Sequence, residues 1–206
     1  MFNVLNSTPR LPSSALAQQS GVSLIIVMIV LTVVSLLGVA GIQISSLSAK
    51  SARNDRDIQI AMQSAEAALL DAEYDIIGPG SSTRRAVFAD DSAFVEGCGT
   101  SGDSKGLCIL RTAAGTKPAW LTVDFTSTAS NAPTTEFGAF TKRTFATGTV
   151  GVQPSKLPRY VIEPMIDKVI NRSESEKSAY RFYRITAIGF GPRDDIQVVL
   201  QALLLH

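Results

Sequence analysis

The residues of this 206-residue chain best suited to covalent chemistry are its two cysteines, Cys98 and Cys108. They bracket the stretch "CGTSGDSKGLC", a spacing that fits neither a CxxC redox pair nor a zinc knuckle with a second ligand pair. A disulfide is the simplest reading, and two separate buried thiols are the alternative. A bridge across so short a Gly- and Ser-rich loop would contribute roughly 2 to 3 kcal/mol by loop entropy. It would also place its domain in an oxidising compartment, beyond the cytoplasmic membrane. Acid–base chemistry has little to work with. The only histidine is His206, so a Cys/His or Ser/His/Asp constellation is not expected. No P-loop, GxGxxG or HExxH pattern occurs. Asp90-Asp91 and Asp194-Asp195 are carboxylate pairs that could attract Ca²⁺, but without EF-hand spacing they read as solvated turns. The expectation is a non-enzyme with no cofactor and no metal.

The charge balance narrows the partners. Nineteen basic residues are scattered among eighteen acidic ones, for a net charge of +1, so no footprint for nucleic acid stands out. The length suits one core with an appendage rather than two large domains. The distribution is uneven, however: from Leu11 to Ala49 there is no Asp, Glu, Lys or Arg, while the remainder has the composition of a soluble domain.

That uncharged block contains "QQSGVSLIIVMIVLTVVSLLGVAGIQ", Gln18 to Gln43. Its 23 positions from Val22 to Ile44 would span about 34 Å as a helix, enough for a hydrocarbon core of roughly 30 Å. A secretory signal would put its small-residue cleavage site after the apolar run. Here Ala15-Leu16-Ala17 lies before it, so that match is accidental. Small residues let helices approach closely in lipid. Gly38 and Gly41, three apart, read either as ordinary membrane-helix glycines or as a point of local unwinding.

Helical character continues past the apolar block. From Ser45 no Pro or Gly occurs until Gly78-Pro79-Gly80, which supplies the stop. Ile58, Ala61, Met62, Ala65, Ala68, Leu69, Ala72 and Ile76 recur at spacings of three and four, a stripe one face wide. Arg53, Arg56, Asp57, Glu66, Asp71, Glu73 and Asp75 fall off that stripe. The prediction is one helix from Val22 to Ile77, 56 residues and roughly 84 Å. Its first half suits lipid, and its second half suits a core on one side.

A hydrophilic leader ending in glycine, then an apolar run passing into an amphipathic half, resembles the class III signal of type IV pilins and pseudopilins. Within that family, "QSGVSLIIVMIVLTVVSLLG" with "RNDRDIQIAMQSAEAALLDAE" resembles the N-terminal region of PilX-type minor pilins, most recognisably at Ala65 to Leu69. The resemblance implies cleavage after Gly21 by prepilin peptidase and methylation of the new terminus, Val22. It explains why a glycine with polar neighbours stands directly before the apolar segment. Major pilins carry Glu at the fifth position after the cut, where it is thought to pair with a neighbour's amino terminus; here that position is Ile26. The absence implies a place at or near the filament tip, with lineage drift as the alternative.

The rest of the chain suits a head. Residues 81 to 158 are rich in Gly, Ser, Thr and Ala, with short apolar runs at Ala86 to Phe88, Cys108 to Leu110 and Trp120 to Phe125, and read as irregular structure with short strands. Trp120 reads as a core or edge anchor, and "TSTASNAPTTEFGAFTKRT" as a mobile surface loop. "RYVIEPM" from Arg159, "YRFYRITAIGF" from Tyr180 and "IQVVLQALLL" from Ile196 read as strands, the last two joined as a hairpin through Gly191 to Asp195.

The expected architecture is α+β and type IV pilin-like, with the second half of a long N-terminal helix packed on a C-terminal antiparallel sheet. The expected divisions are a leader over 1–21, a membrane or filament-core half over 22–44, an amphipathic half over 45–78 and a head over 79–206. The resemblance implies other minor pilins, the major pilin, prepilin peptidase and the inner membrane as partners, with a tip adhesin as a further candidate. A GspK-type pseudopilin of type II secretion is the nearest rival, though its usual inserted domain has little room in 206 residues. A membrane-anchored periplasmic binding protein or enzyme is the reading from another class.

Overall fold

The computed structural model describes residues 22–79, 83–89, 92–109, 115–145, 151–165 and 182–205. Helix α1 runs Val22–Ile77. Its limits follow from local chemistry: alanine-rich sequence favours helix along the second half, and Pro79, which cannot continue the helix, stands just after Gly78. The Gly78 amide donates to the Tyr74 carbonyl at 2.8 Å, closing the last turn. The chain divides into two units between Lys50 and Ser51. The first holds the apolar part of α1, which is exposed throughout its described length.

The second unit is an α+β head. A four-stranded antiparallel sheet has the order β1(Thr135–Glu136), β2(Arg159–Met165), β3(Phe182–Phe190), β4(Gln197–Leu205). In register, Arg159 faces Ile188 and Met165 faces Phe182 across β2 and β3, and Phe182 faces Leu205 across β3 and β4. The hairpin turn is closed by Gly191 donating to the Ile196 carbonyl at 2.8 Å. Pro164 sits where β2 has no β1 partner, so its missing N–H leaves no gap in a central ladder. The beginning of the predicted second strand, Tyr180 and Arg181, lies outside the described residues, as do Gly80, Asp90-Asp91 and Leu110.

One face of the sheet packs on α1 through Tyr160, Ile162, Tyr183, Ile185 and Ala187 against Ala68, Ala72 and Ile76. The other face is covered by Cys98, Cys108, Ala119 and Phe125 over Val161, Ile188 and Phe190. With both faces covered, β3 has no reason to alternate apolar with polar residues. The helix approaches the sheet very closely. A Cβ added at Gly189 would overlap the Ala61 carbonyl oxygen and the Ala65 nitrogen, so glycine on β3 and alanine on α1 are one packing solution.

Several expectations are corrected. Asp71 and Asp75, read as lying off the buried stripe, are fully buried, because the loops beyond the sheet reach round α1 and supply donors to them. Ile58 and Met62, read as part of the stripe, are 41% and 44% exposed, because the sheet does not extend over them. Residues 126–144 are not a surface loop: Ala132, Thr134, Thr135, Phe137 and Thr141 are buried and the segment contains β1. The apolar runs at Ala86 and Trp120 are not strands but a 3₁₀ turn, Arg85–Ala89, and a single turn α2(Ala119–Thr122).

Candidate functional site

Among the described residues no group of three or more His, Cys, Asp or Glu could hold a metal ion. The features that bear on function are the apolar half of α1 and the polar network that fixes the head.

In the apolar half the side chains of Val22 and Ile26 are exposed, and so are all the large aliphatic residues as far as Leu47. This helix is long and apolar enough to cross a membrane, and none of its apolar window is buried inside the chain. Gly38 and Gly41 are both helical, and a Cβ at either would meet nothing within 4 Å. Among the described residues, one side-chain hydrogen bond in the segment satisfies a hydroxyl: Thr32 Oγ1 donates to the Ile29 carbonyl at 2.8 Å. A polar group bonded to its own helix backbone can enter lipid at small cost. Gly21, the residue before Val22 at the expected cut, lies outside the described residues.

The head is fastened to α1 by two carboxylates one turn apart. Asp75 is held by Arg84: Arg84 Nε and Nη2 donate to Oδ2 at 3.0 and 2.5 Å, and the Arg84 amide donates to Oδ1 at 3.1 Å. Tyr160 Oη donates to the same Oδ2 at 3.1 Å. The remaining guanidinium nitrogen, Nη1, donates to the carbonyls of Asp103 and Lys105 at 2.8 and 2.7 Å, and the group stacks 3.6 Å from the Phe140 ring centroid. A buried guanidinium so fully satisfied ties the end of α1, the segment after its stop and the disulfide loop into one unit. Burial, with the Asp75 charge beside it, pushes the Tyr160 hydroxyl well above its ordinary range, so it remains a donor.

Asp71 does the same for the segment after β1. Its Oδ2 accepts from the Gly138 amide at 2.8 Å, its Oδ1 from Thr141 Oγ1 at 2.6 Å, and Arg143 lies 3.6 Å away. Burial raises its pKa, and the Thr141 and Gly138 hydrogen bonds and the Arg143 charge only partly oppose that. Gly138 has φ +77°, and a Cβ there would overlap the Arg143 carbonyl oxygen, so the turn that aims its amide at Asp71 requires glycine. Across the sheet, Glu163 faces Arg184 in register and accepts from it at 2.7 Å, while its other oxygen accepts from the Ala119 amide at 3.3 Å.

Cys98 and Cys108 are bonded to each other. Their loop is joined to the sheet by the Ile162 amide donating to the Gly106 carbonyl and the Cys108 amide to the Ile162 carbonyl, each at 2.9 Å. Trp120 packs beside this cluster. Asp194 and Asp195 sit in the exposed hairpin turn, paired with Lys156 at 3.1 Å and Arg193 at 3.2 Å.

Sequence reasoning missed the Asp71, Asp75 and Arg84 network. A signal was present: Ser64, Ala68, Asp71 and Asp75 share the 3.6 periodicity of the neighbouring alanine stripe, and Arg84 follows just after the helix stop. It missed as well a groove of about 390 Å³ lined by Glu66, Leu69, Leu70, Glu73, Ile185 and Ala202 to Leu204.

Comparison with known proteins is consistent with this architecture. The PilX N-terminal family matches residues 20–70, and the family described as Type IV pilus assembly protein PilX C-term matches residues 95–206. No curated protein and no solved structure gives a significant match. The C-terminal match alone covers more than half of the chain, and on that footing the protein belongs to the PilX family of type IV pilus assembly proteins.

Proposed function

We propose that this protein is a minor pilin: an inner-membrane subunit, cut after Gly21 by prepilin peptidase and methylated on Val22, that joins other minor pilins in a tip complex priming pilus assembly. The observation that carries the reading is the apolar half of α1. Among the described residues nothing covers Val22 to Leu47, so a helix of that composition needs lipid before assembly and neighbouring helices after it. Exposed aliphatic residues, rather than any reactive group, then supply the association energy, and the role is assembly rather than catalysis. Gly38 and Gly41 offer open backbone for close helix approach. Ile26 in place of an acidic residue supports a terminal position, since the subunit brings no carboxylate to pair with a neighbour's amino terminus.

The proposed divisions are the leader over 1–21, a membrane and filament-core half over 22–44, an amphipathic half over 45–78 and a periplasmic head over 79–206. The disulfide supports placing the head in an oxidising compartment. The test is position and number: immunogold labelling of sheared pili with antibody to the head. Label confined to one end of each filament, together with loss of surface pili when the gene is deleted, is the expected result. Label distributed along the shaft would overturn the tip assignment.

A further inference from the structure

We propose that the open edge of β4 receives a β-strand from a different polypeptide, one whose sequence reads basic, any residue, apolar, any residue, basic, with the basic and apolar side chains on the face toward α1. The inference concerns the head and does not depend on the assembly role proposed above. Three observations converge on the same edge.

Among the described residues the strand is unprotected. β4 is nine residues long and pairs only with β3 among the described residues, leaving its other row of backbone groups open. Sheet edges are normally short or blunted by charge, proline or a bulge. The opposite edge, β1, is two residues long, whereas "QVVLQALLL" contains no charge and no proline. Its outward side chains Val199 and Leu203 are 50% and 69% exposed.

The sheet is also one strand too narrow for the helix. Met62, Glu66, Leu69, Leu70, Glu73 and Ile77 recur at helical spacing on the flank of α1 next to the buried alanine stripe. Met62, Leu70 and Ile77 are exposed, Leu70 by 57%. Glu66, Leu69, Leu70 and Glu73 form one wall of the groove whose other wall is Ile185 and Ala202 to Leu204. A fifth strand beside β4 would lie in this groove and cover Leu70.

Charge selects the occupant. Neither Glu66 nor Glu73 takes part in an ion pair or hydrogen bond among the described residues, in contrast to Asp71 and Asp75 on the same helix. The two glutamates are seven positions apart, about 10.5 Å along the helix. Residues four apart on one face of a strand are about 13 Å apart, within the reach of flexible lysines, and the residue between them falls opposite Leu70. The chain's own β4 has no basic residue, so a second copy pairing edge to edge would leave both carboxylates unmatched.

The experiment uses the full chain in detergent micelles and three labelled heptapeptides. The first alternates Thr with Lys, Leu and Lys; the second replaces both Lys by Glu; the third replaces Leu by Pro. The first should bind and slow hydrogen exchange at the β4 amides not bonded to β3, and the other two should bind at least about tenfold more weakly. A Glu66→Lys, Glu73→Lys variant that melts like the parent should reverse the preference to the Glu peptide. Equal binding of all three peptides, or no reversal in the variant, would overturn the proposal. So would β4 amides already protected in the free monomer by residues 166–181, or protected only in a homodimer.

Discussion

The two halves of α1 are built from the same backbone geometry and solve opposite problems. From Val22 to Leu47 the large residues are aliphatic and exposed, and the one side-chain hydrogen bond closes back on the helix itself. From Ala61 to Ile76 the contact residues are small, four of them alanine, and two buried carboxylates accept hydrogen bonds from segments far along the chain. The first half leaves its apolar surface uncovered by the described residues, and the second is specified by the head. Bulk gives non-directional attraction suited to lipid and to neighbouring helices. Alanine, Gly189 and buried aspartates give close approach and a single register.

The largest energies lie at the buried Asp75–Arg84 pair. Asp75→Ala removes the partner of Arg84, itself almost fully buried, and should cost about 3 to 5 kcal/mol because a buried guanidinium is left unpaired. Guanidinium unfolding in detergent, followed by Trp120 fluorescence, reads that loss. Membrane insertion should be unaffected. The reciprocal change is Val34→Asp at the middle of the apolar half, which should oppose insertion by about 2.5 to 3.5 kcal/mol. Carbonate extraction of membranes reports it, and the unfolding midpoint of the head should stay where it is. A variant in one half that moved both readouts would contradict the division of labour.

Smaller effects sharpen the picture of the head. Replacing Cys98 and Cys108 together by serine should lower head stability by roughly 2 to 3 kcal/mol through the entropy of the opened loop, measured by the same unfolding curves. Asp71 predicts a pH dependence. Its folded pKa is raised above 3.8, mainly by burial, so the folded head holds this proton more tightly than the unfolded chain does. The stability it contributes is therefore greatest below about pH 3.8 and declines as pH rises through the raised value. Unfolding of the parent and of Asp71→Asn across that window should show the parent losing ground to the variant as pH increases. A difference independent of pH would assign Asp71 no titration there.

The longer elements were legible in the sequence because each rests on a local signal. Helix limits followed from Pro79 and the unbroken run before it, and the strands from β-branched and aromatic enrichment around Gly191 to Asp195. The burial of Asp71 and Asp75 was not, because acidic residues normally mark the solvent face and their donors, Gly138, Thr141, Arg84 and Tyr160, are 9 to 85 residues away. The segment 126–144 misled for a related reason: its Ser, Thr, Asn and Gly composition is that of a loop, and its burial depends on reaching Asp71 across the fold. At β4 the strand itself was legible but its exposed edge was not, since edges are defined by topology and not by composition.

Mass spectrometry of the mature amino terminus, on protein from cells with and without prepilin peptidase, tests the central claim that the apolar half of α1 is a processed pilin stem. The account predicts a methylated Val22 as the first residue when the peptidase is present, and a chain still carrying Gly21 when it is absent. An amino terminus upstream of Val22 in both strains would contradict it.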